Sequence, residues 1–129
     1  MSDLPLTKPA LAQLYRNVGG EEALTRILRE FYARMARDLM IGFFFAGFDT
    51  DQIADQQRAF LMRAMGATPS YAGKAPAQAH DKLPPILAGH FDRRLRILEE
   101  TLRDHGVSAE DIRTWVSFES AFREQIVES

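Results

Sequence analysis

The chain carries three histidines, His80, His90 and His105, and no cysteine. Without thiols it has no disulfides, zinc–cysteine sites, iron–sulfur clusters or covalent Cys-x-x-Cys-His attachment. None of the histidines belongs to a His-Glu-x-x-His run, the spacing that puts two ring nitrogens on one helix face for a metal. His105 stands beside Gly106, where a ring would meet the negative end of a helix dipole. His90 directly precedes Phe91 and suits the start of a helix. His80 stands alone among glycines and prolines and, by itself, reads as structural or solvated. One metal centre does need only a single protein ligand: haem iron, whose macrocycle supplies four.

Three polar side chains fall on or beside apolar stripes. Gln57 follows Ile53 by four and precedes Phe60 and Leu61 by three and four. A buried amide there needs hydrogen-bond partners; the alternative is a side chain tilted toward water. Tyr32 follows Leu28 by four and precedes Met35 by three, at the margin where a tyrosine ring is buried and its hydroxyl wet. Arg94 follows Phe91 by three and precedes Leu98 by four. It reads first as a snorkelling arginine with its head in water. Tyr32 and Gln57 together could also place two hydrogen-bonding groups in one apolar cavity, the composition of a small-ligand site.

These residues sit on helices. Leu24, Ile27, Leu28, Phe31, Met35 and Leu39 recur at steps of three and four, which predicts a helix from about Glu21 to Asp38. Gly19-Gly20 reads as a turn after a short helix around Ala10–Arg16. Ile53, Gln57, Phe60, Leu61, Ala64 and Met65 form a second block, with Asp49 or Thr50 as N-cap and Gly66 as stop. Phe91, Leu95, Leu98 and Leu102 form a third, ending at Gly106. Ile112, Trp115, Val116, Phe122 and Ile126 form a fourth, opened by a capping-box-like Ser108 and Asp111. The aromatic run 41–48 is too short and glycine-rich for a main helix. The stretch 66–89 reads as a long connection, a kind that often carries function. No alternating strand pattern occurs, so the expected class is all-α.

The chain has 129 residues, 46% of them apolar and 26% charged, the balance of one globular domain spanning 1–129 with residues 1–10 as an extension. A net charge of -2 gives no pull toward nucleic acid or anionic lipid. The start, Met1-Ser2-Asp3-Leu4-Pro5, lacks a basic and an apolar leader region. No apolar run reaches the roughly 20 residues of a membrane helix, so a soluble cytoplasmic protein is expected.

Several runs occur in an order that resembles a known family. They are Leu14-Tyr15-x-x-Val18-Gly19-Gly20-Glu21-Glu22-Ala23-Leu24; Glu30-Phe31-Tyr32-Ala33-Arg34-Met35; Phe44-Phe45-Ala46-Gly47; Gln57-x-x-Phe60-Leu61-x-x-Ala64-Met65-Gly66; Tyr71-x-Gly73-Lys74-x-x-x-x-Ala79-His80; His90-Phe91-Asp92; and Gly106-Val107. The ordered set, over about residues 11–127, is similar to the truncated haemoglobins, short globins folded as a two-over-two helical sandwich. The first half resembles group I. The run Leu83-Pro84-Pro85-x-x-x-Gly89-His90-Phe91-Asp92-Arg93-Arg94-Leu95 resembles group III, which typically has tryptophan where Arg94 stands. Two further departures are Ala67 after Gly66, where a second glycine is usual, and Gln56, where one subgroup has a basic residue.

The resemblance implies haem b with His80 as the proximal iron ligand. It implies Phe45 stacked on the haem face, Ile53 at the distal position of vertebrate globins, and Tyr32 and Gln57 as donors to the ligand, with Arg94 facing the same pocket. Tyr71 and Lys74 would meet a haem propionate, and Phe60, Leu61, Ile86 and Phe91 would wall the pocket. The implied function is reversible binding of O2, NO or CO, with NO detoxification as a further activity. The alternatives are a haem enzyme with peroxidase or NO dioxygenase activity and a haem-free sensor or interaction domain on the same fold. The expected partners are a diatomic gas and an unidentified reductase, with no nucleic acid and no membrane, in a monomer or weak dimer.

Overall fold

The computed structural model describes residues 7–69 and 84–127. His80, Tyr71 and Lys74 lie outside the described residues. In chain order the described elements are α1 (Lys8–Val18), α2 (Gly20–Arg37), a 3₁₀ helix (Gly42–Phe45), α3 (Thr50–Ala64), α4 (Ala88–Asp104), α5 (Ala109–Ser120) and the single-turn α6 (Arg123–Ile126). No strand occurs among the described residues, as expected of an all-α chain.

Local chemistry fixes the helix ends. The Thr7 hydroxyl accepts from the Ala10 amide at 3.1 Å to open α1. Gly19, at φ 113°, closes α1 and turns the chain straight into α2, a conformation that needs a residue without Cβ. Asp49 accepts from the amides of Asp51 and Gln52 to open α3, and Ser108 accepts from Asp111 to open α5. His90 opens α4: its Nδ1 accepts the Leu87 amide at 3.0 Å.

The apolar stripe of α2 is buried at Leu24, Ile27, Leu28, Phe31 and Met35. Leu39 departs from expectation and stands fully exposed at 103%. The cause is Asp38, which leaves the helical region at ψ 137°. Its Oδ2 accepts from the amides of Met40 and Ile41 at 2.9 and 3.2 Å. The chain turns there, and Ile41 takes the buried place.

α2 packs along α3, α4 packs along α5, and the two pairs meet through α2 and α4, while α1 lies against α5. This is the two-over-two arrangement, with one core between the pairs that holds Leu14, Leu61, Leu98, Leu102 and Trp115. The fourth apolar block is not one helix: it breaks at Ala121–Phe122 into α5 and α6. The break brings the Phe122 ring within 5.8 Å of Phe60 and 5.3 Å of Phe118. It also returns Arg123 to α4, where it pairs with Asp92 at 2.6 Å and covers the Phe91 ring.

Candidate functional site

Each of the four main core helices contributes one polar side chain to a single cluster between the layers. Tyr32 comes from α2, Gln57 from α3, Arg94 from α4 and Glu119 from α5. The helix periodicity that buries their apolar neighbours also turns these four inward. Arg94 Nη1 donates to Glu119 Oε1 at 3.0 Å, and Arg94 Nη2 donates to the Tyr32 hydroxyl at 3.5 Å. Gln57 Nε2 donates to the other carboxylate oxygen, Glu119 Oε2, at 3.5 Å. The guanidinium also lies 5.0 Å over the Phe31 ring and 6.0 Å over that of Tyr32, which face its charge with π density.

The cluster is largely removed from water. Tyr32 is 7% exposed, and the Arg94 and Glu119 side chains are 20% and 9% exposed. Arg94 is therefore not a snorkelling arginine; its head is turned toward the core. Burial opposes its charge, yet Glu119 and the Tyr32 hydroxyl hold its pKa above the ordinary guanidinium value. Removing either charge alone would strand the other in a poor solvent.

The apolar candidates divide into two sets. Leu61 and Phe91 are buried, at 0% and 3% exposed. Phe45, Ile53, Phe60 and Ile86 are half-buried and lie against the core. Phe45 meets Tyr32 edge-on, with ring centroids 5.9 Å apart, so this apolar surface adjoins the polar cluster. Tyr32, Gln57 and Arg94 are thus brought together by direct or shared contacts, with Phe45 beside them. His90 is engaged elsewhere: besides its bond to Leu87, its ring stands edge-on to Phe43 and Phe44. His105 is exposed and lies about 16 Å along α4 from Arg94 at the usual rise per residue.

Glu119 is the cluster member that periodicity did not single out. It follows Trp115 by four and Ile112 by seven, so it falls on the buried stripe of α5. That spacing was the available signal. Among the described residues, no group of three or more His, Cys, Asp or Glu is placed to hold a metal ion. No helix among them is long and apolar enough to cross a membrane.

Comparison with known proteins gives a consistent result. The bacterial-like globin family profile matches residues 13–127. A group 1 truncated haemoglobin of Chlamydomonas moewusii is 34% identical over 107 residues, 82% of this chain and 63% of that protein. One from Synechocystis is 34% identical over 100 residues, 75% of this chain and 81% of that protein. Among solved structures, the Fe(III) form of the truncated haemoglobin of Tetrahymena pyriformis superposes with a TM-score of 0.81 at 28% identity, covering 90% of this chain and 98% of that one. The cyanomet 2/2 haemoglobin of Synechococcus sp. PCC 7002, with covalently attached haem, gives 0.79 at 25% identity over 88% and 97% of the two chains. The curated relatives are of group 1, in line with the first half of the chain, and the Arg94 guanidinium occupies the interior between the layers all the same. The chain belongs to the bacterial-like globin family and is a truncated haemoglobin, which implies a haem-binding protein.

Proposed function

We propose that this globin binds haem b through His80 and takes O2, or CO or NO, beside Tyr32, Gln57 and Arg94. The observation that carries this reading is the convergence of those three side chains from three helices, next to Phe45. The described residues suit the group. Phe45, Ile53, Phe60 and Ile86 are apolar and only half-buried against the core, so a flat apolar macrocycle would complete their burial. His80 is assigned as the ligand by resemblance; of the other two histidines, His90 already caps α4 and His105 lies at its far end. Tyr71 and Lys74 are assigned to the propionates by resemblance alone.

When bound, the haem supplies an iron with one open coordination position. The chain's part is to aim donors at the ligand. Where a diatomic ligand gains partial negative charge on its outer atom, fixed N–H and O–H groups in a dry pocket would stabilise that charge with little reorganisation. The guanidinium favours a second reading as well, an enzyme that turns over peroxide or oxidises NO with an external reductase, because a fixed cation stabilises developing negative charge. Stopped-flow turnover with NO or peroxide separates it from simple binding. A haem-free interaction domain is disfavoured because it gives no reason for a buried Tyr–Arg–Glu–Gln cluster beside a half-covered aromatic.

The test of the main reading is an absorption spectrum. The purified protein is expected to show a Soret band at about one haem per chain, and His80→Gly to lose it. A colourless protein that also takes up no added haemin overturns the proposal.

A further inference from the structure

Arg94–Glu119 is the most buried ion pair among the described residues. Each of the others has a partner more exposed than either of these two. Its geometry is one of restraint. Glu119 accepts on both oxygens, from Arg94 on α4 and Gln57 on α3. Arg94 is held from below by the Phe31 ring and from the side by Tyr32. Only two of its five N–H donors are used by side chains among the described residues.

A guanidinium held alone in an apolar pocket is a receptor for small anions. With Glu119 at 3.0 Å the pair is neutral. A small anion placed beside it would also face the Glu119 carboxylate, a like charge that a poorly solvated interior screens only weakly. A neutral diatomic ligand adds no net charge and still meets the remaining N–H groups.

From this geometry we infer that Glu119 is the positioning residue and masking counterion of the ligand site: it fixes Arg94 as a neutralised donor, so the site selects neutral diatomic ligands over small anions. The inference rests on the haem-globin reading above. It assigns a role to a residue that the family resemblance does not mark, and it names the class of ligand excluded.

The test compares wild type, Glu119→Gln, Arg94→Met and the double variant. Glu119→Gln keeps the shape and an acceptor while removing the charge. Azide and fluoride are titrated against the ferric protein and CO against the ferrous protein, by absorption, at one fixed pH. Glu119→Gln is expected to raise azide and fluoride affinity, relative to CO affinity in the same variant, by about tenfold or more. The gain should vanish in the double variant, because no guanidinium remains to be unmasked. Unchanged anion affinity in Glu119→Gln, or a gain that persists without Arg94, overturns the inference.

A second measurement needs no haem. In thermal melts of the apoprotein, the two substitutions should be strongly non-additive, the double variant being more stable than the sum of the singles predicts. Additive melts overturn the pairing, and with it the inference, while leaving the haem reading intact. A protein that takes up no haem overturns both.

Discussion

The Arg94 guanidinium reaches the Tyr32 hydroxyl at 3.5 Å, so two helices far apart in sequence present donors to one patch. Under the proposed function these donors share the work of holding a polar ligand. A hydrogen bond to a charged partner is worth about 1.5–3 kcal/mol, or roughly ten- to a hundredfold in affinity. Tyr32→Phe should therefore speed O2 release, but only by about tenfold, because Arg94 remains. Tyr32→Phe with Arg94→Met should reach about a hundredfold. Stopped-flow displacement of O2 by CO measures both rates, and an off-rate unchanged in the double variant would remove this patch from the ligand site.

Gln57 separates a folding role from a ligand role. Its bond to Glu119 is 3.5 Å long, at the outer limit of a hydrogen bond, and the side chain is half-buried. Gln57→Leu should thus cost less than about 1 kcal/mol of stability. Its O2 off-rate should still rise by several-fold if the amide serves the ligand. Urea unfolding and stopped-flow release on the same preparation give the two numbers. A large loss of stability with an unchanged off-rate would make Gln57 a structural residue.

The turn after α2 depends on a close backbone approach. A Cβ built at Gly42 would sit 2.6 Å from the Ala36 carbonyl oxygen, closer than such atoms approach. Backbone cannot yield there without shifting the 3₁₀ helix that carries Phe44 and Phe45. Gly42→Ala should cost about 1–3 kcal/mol, the usual range for overpacking, and should slow haem uptake through the displaced Phe45. Denaturant midpoints and haemin titration check the two effects, and a variant as stable as wild type would mean the corner relaxes freely.

Much of this structure is legible in the sequence, for a physical reason. Helical burial repeats along the chain, so Leu24, Ile27, Leu28, Phe31 and Met35 reveal their own face. End signals are local too: Asp49, Ser108 and Gly19 act within a few residues. Leu39 misled because periodicity ignores a side chain competing for backbone amides, which is what Asp38 does. The unbroken fourth helix misled because Phe122 and Arg123 answer to Phe60 and Asp92, residues on other helices. Glu119 stayed hidden for the same reason. Its burial is tolerable only with Arg94 beside it, and nothing local announces a partner on another helix. Tyr32, Gln57 and Arg94 were named by resemblance and by their register on apolar stripes; that they meet around a carboxylate is a tertiary fact.

Asp38 makes the strongest case for a pH-dependent stability. Oδ1 accepts Nε and Nη2 of Arg93 at 2.9 and 2.7 Å, and Oδ2 accepts the Met40 and Ile41 amides. The Arg93 hydrogen bond, helped by those amides and opposed by burial, holds the carboxyl below its ordinary value of 3.8. A depressed folded pKa contributes stability that is complete well above the unfolded value and is lost as pH falls through the folded one. Neutral solution therefore holds the full contribution, and it should begin to fall at about pH 4, where an unfolded aspartate titrates, and go on falling as the folded carboxyl takes up its proton. Arg93 is 38% exposed, so solvent screens part of the attraction. Asp38→Asn should cost about 2 kcal/mol at pH 7, because an amide nitrogen must then face either the guanidinium or two backbone N–H groups. The cost should shrink as the pH falls below the unfolded value and the wild-type carboxyl takes up its proton. Urea unfolding of both proteins from pH 7 to pH 2 measures the difference, and a gap that stays constant across that range would show that Asp38 acts through shape and not charge.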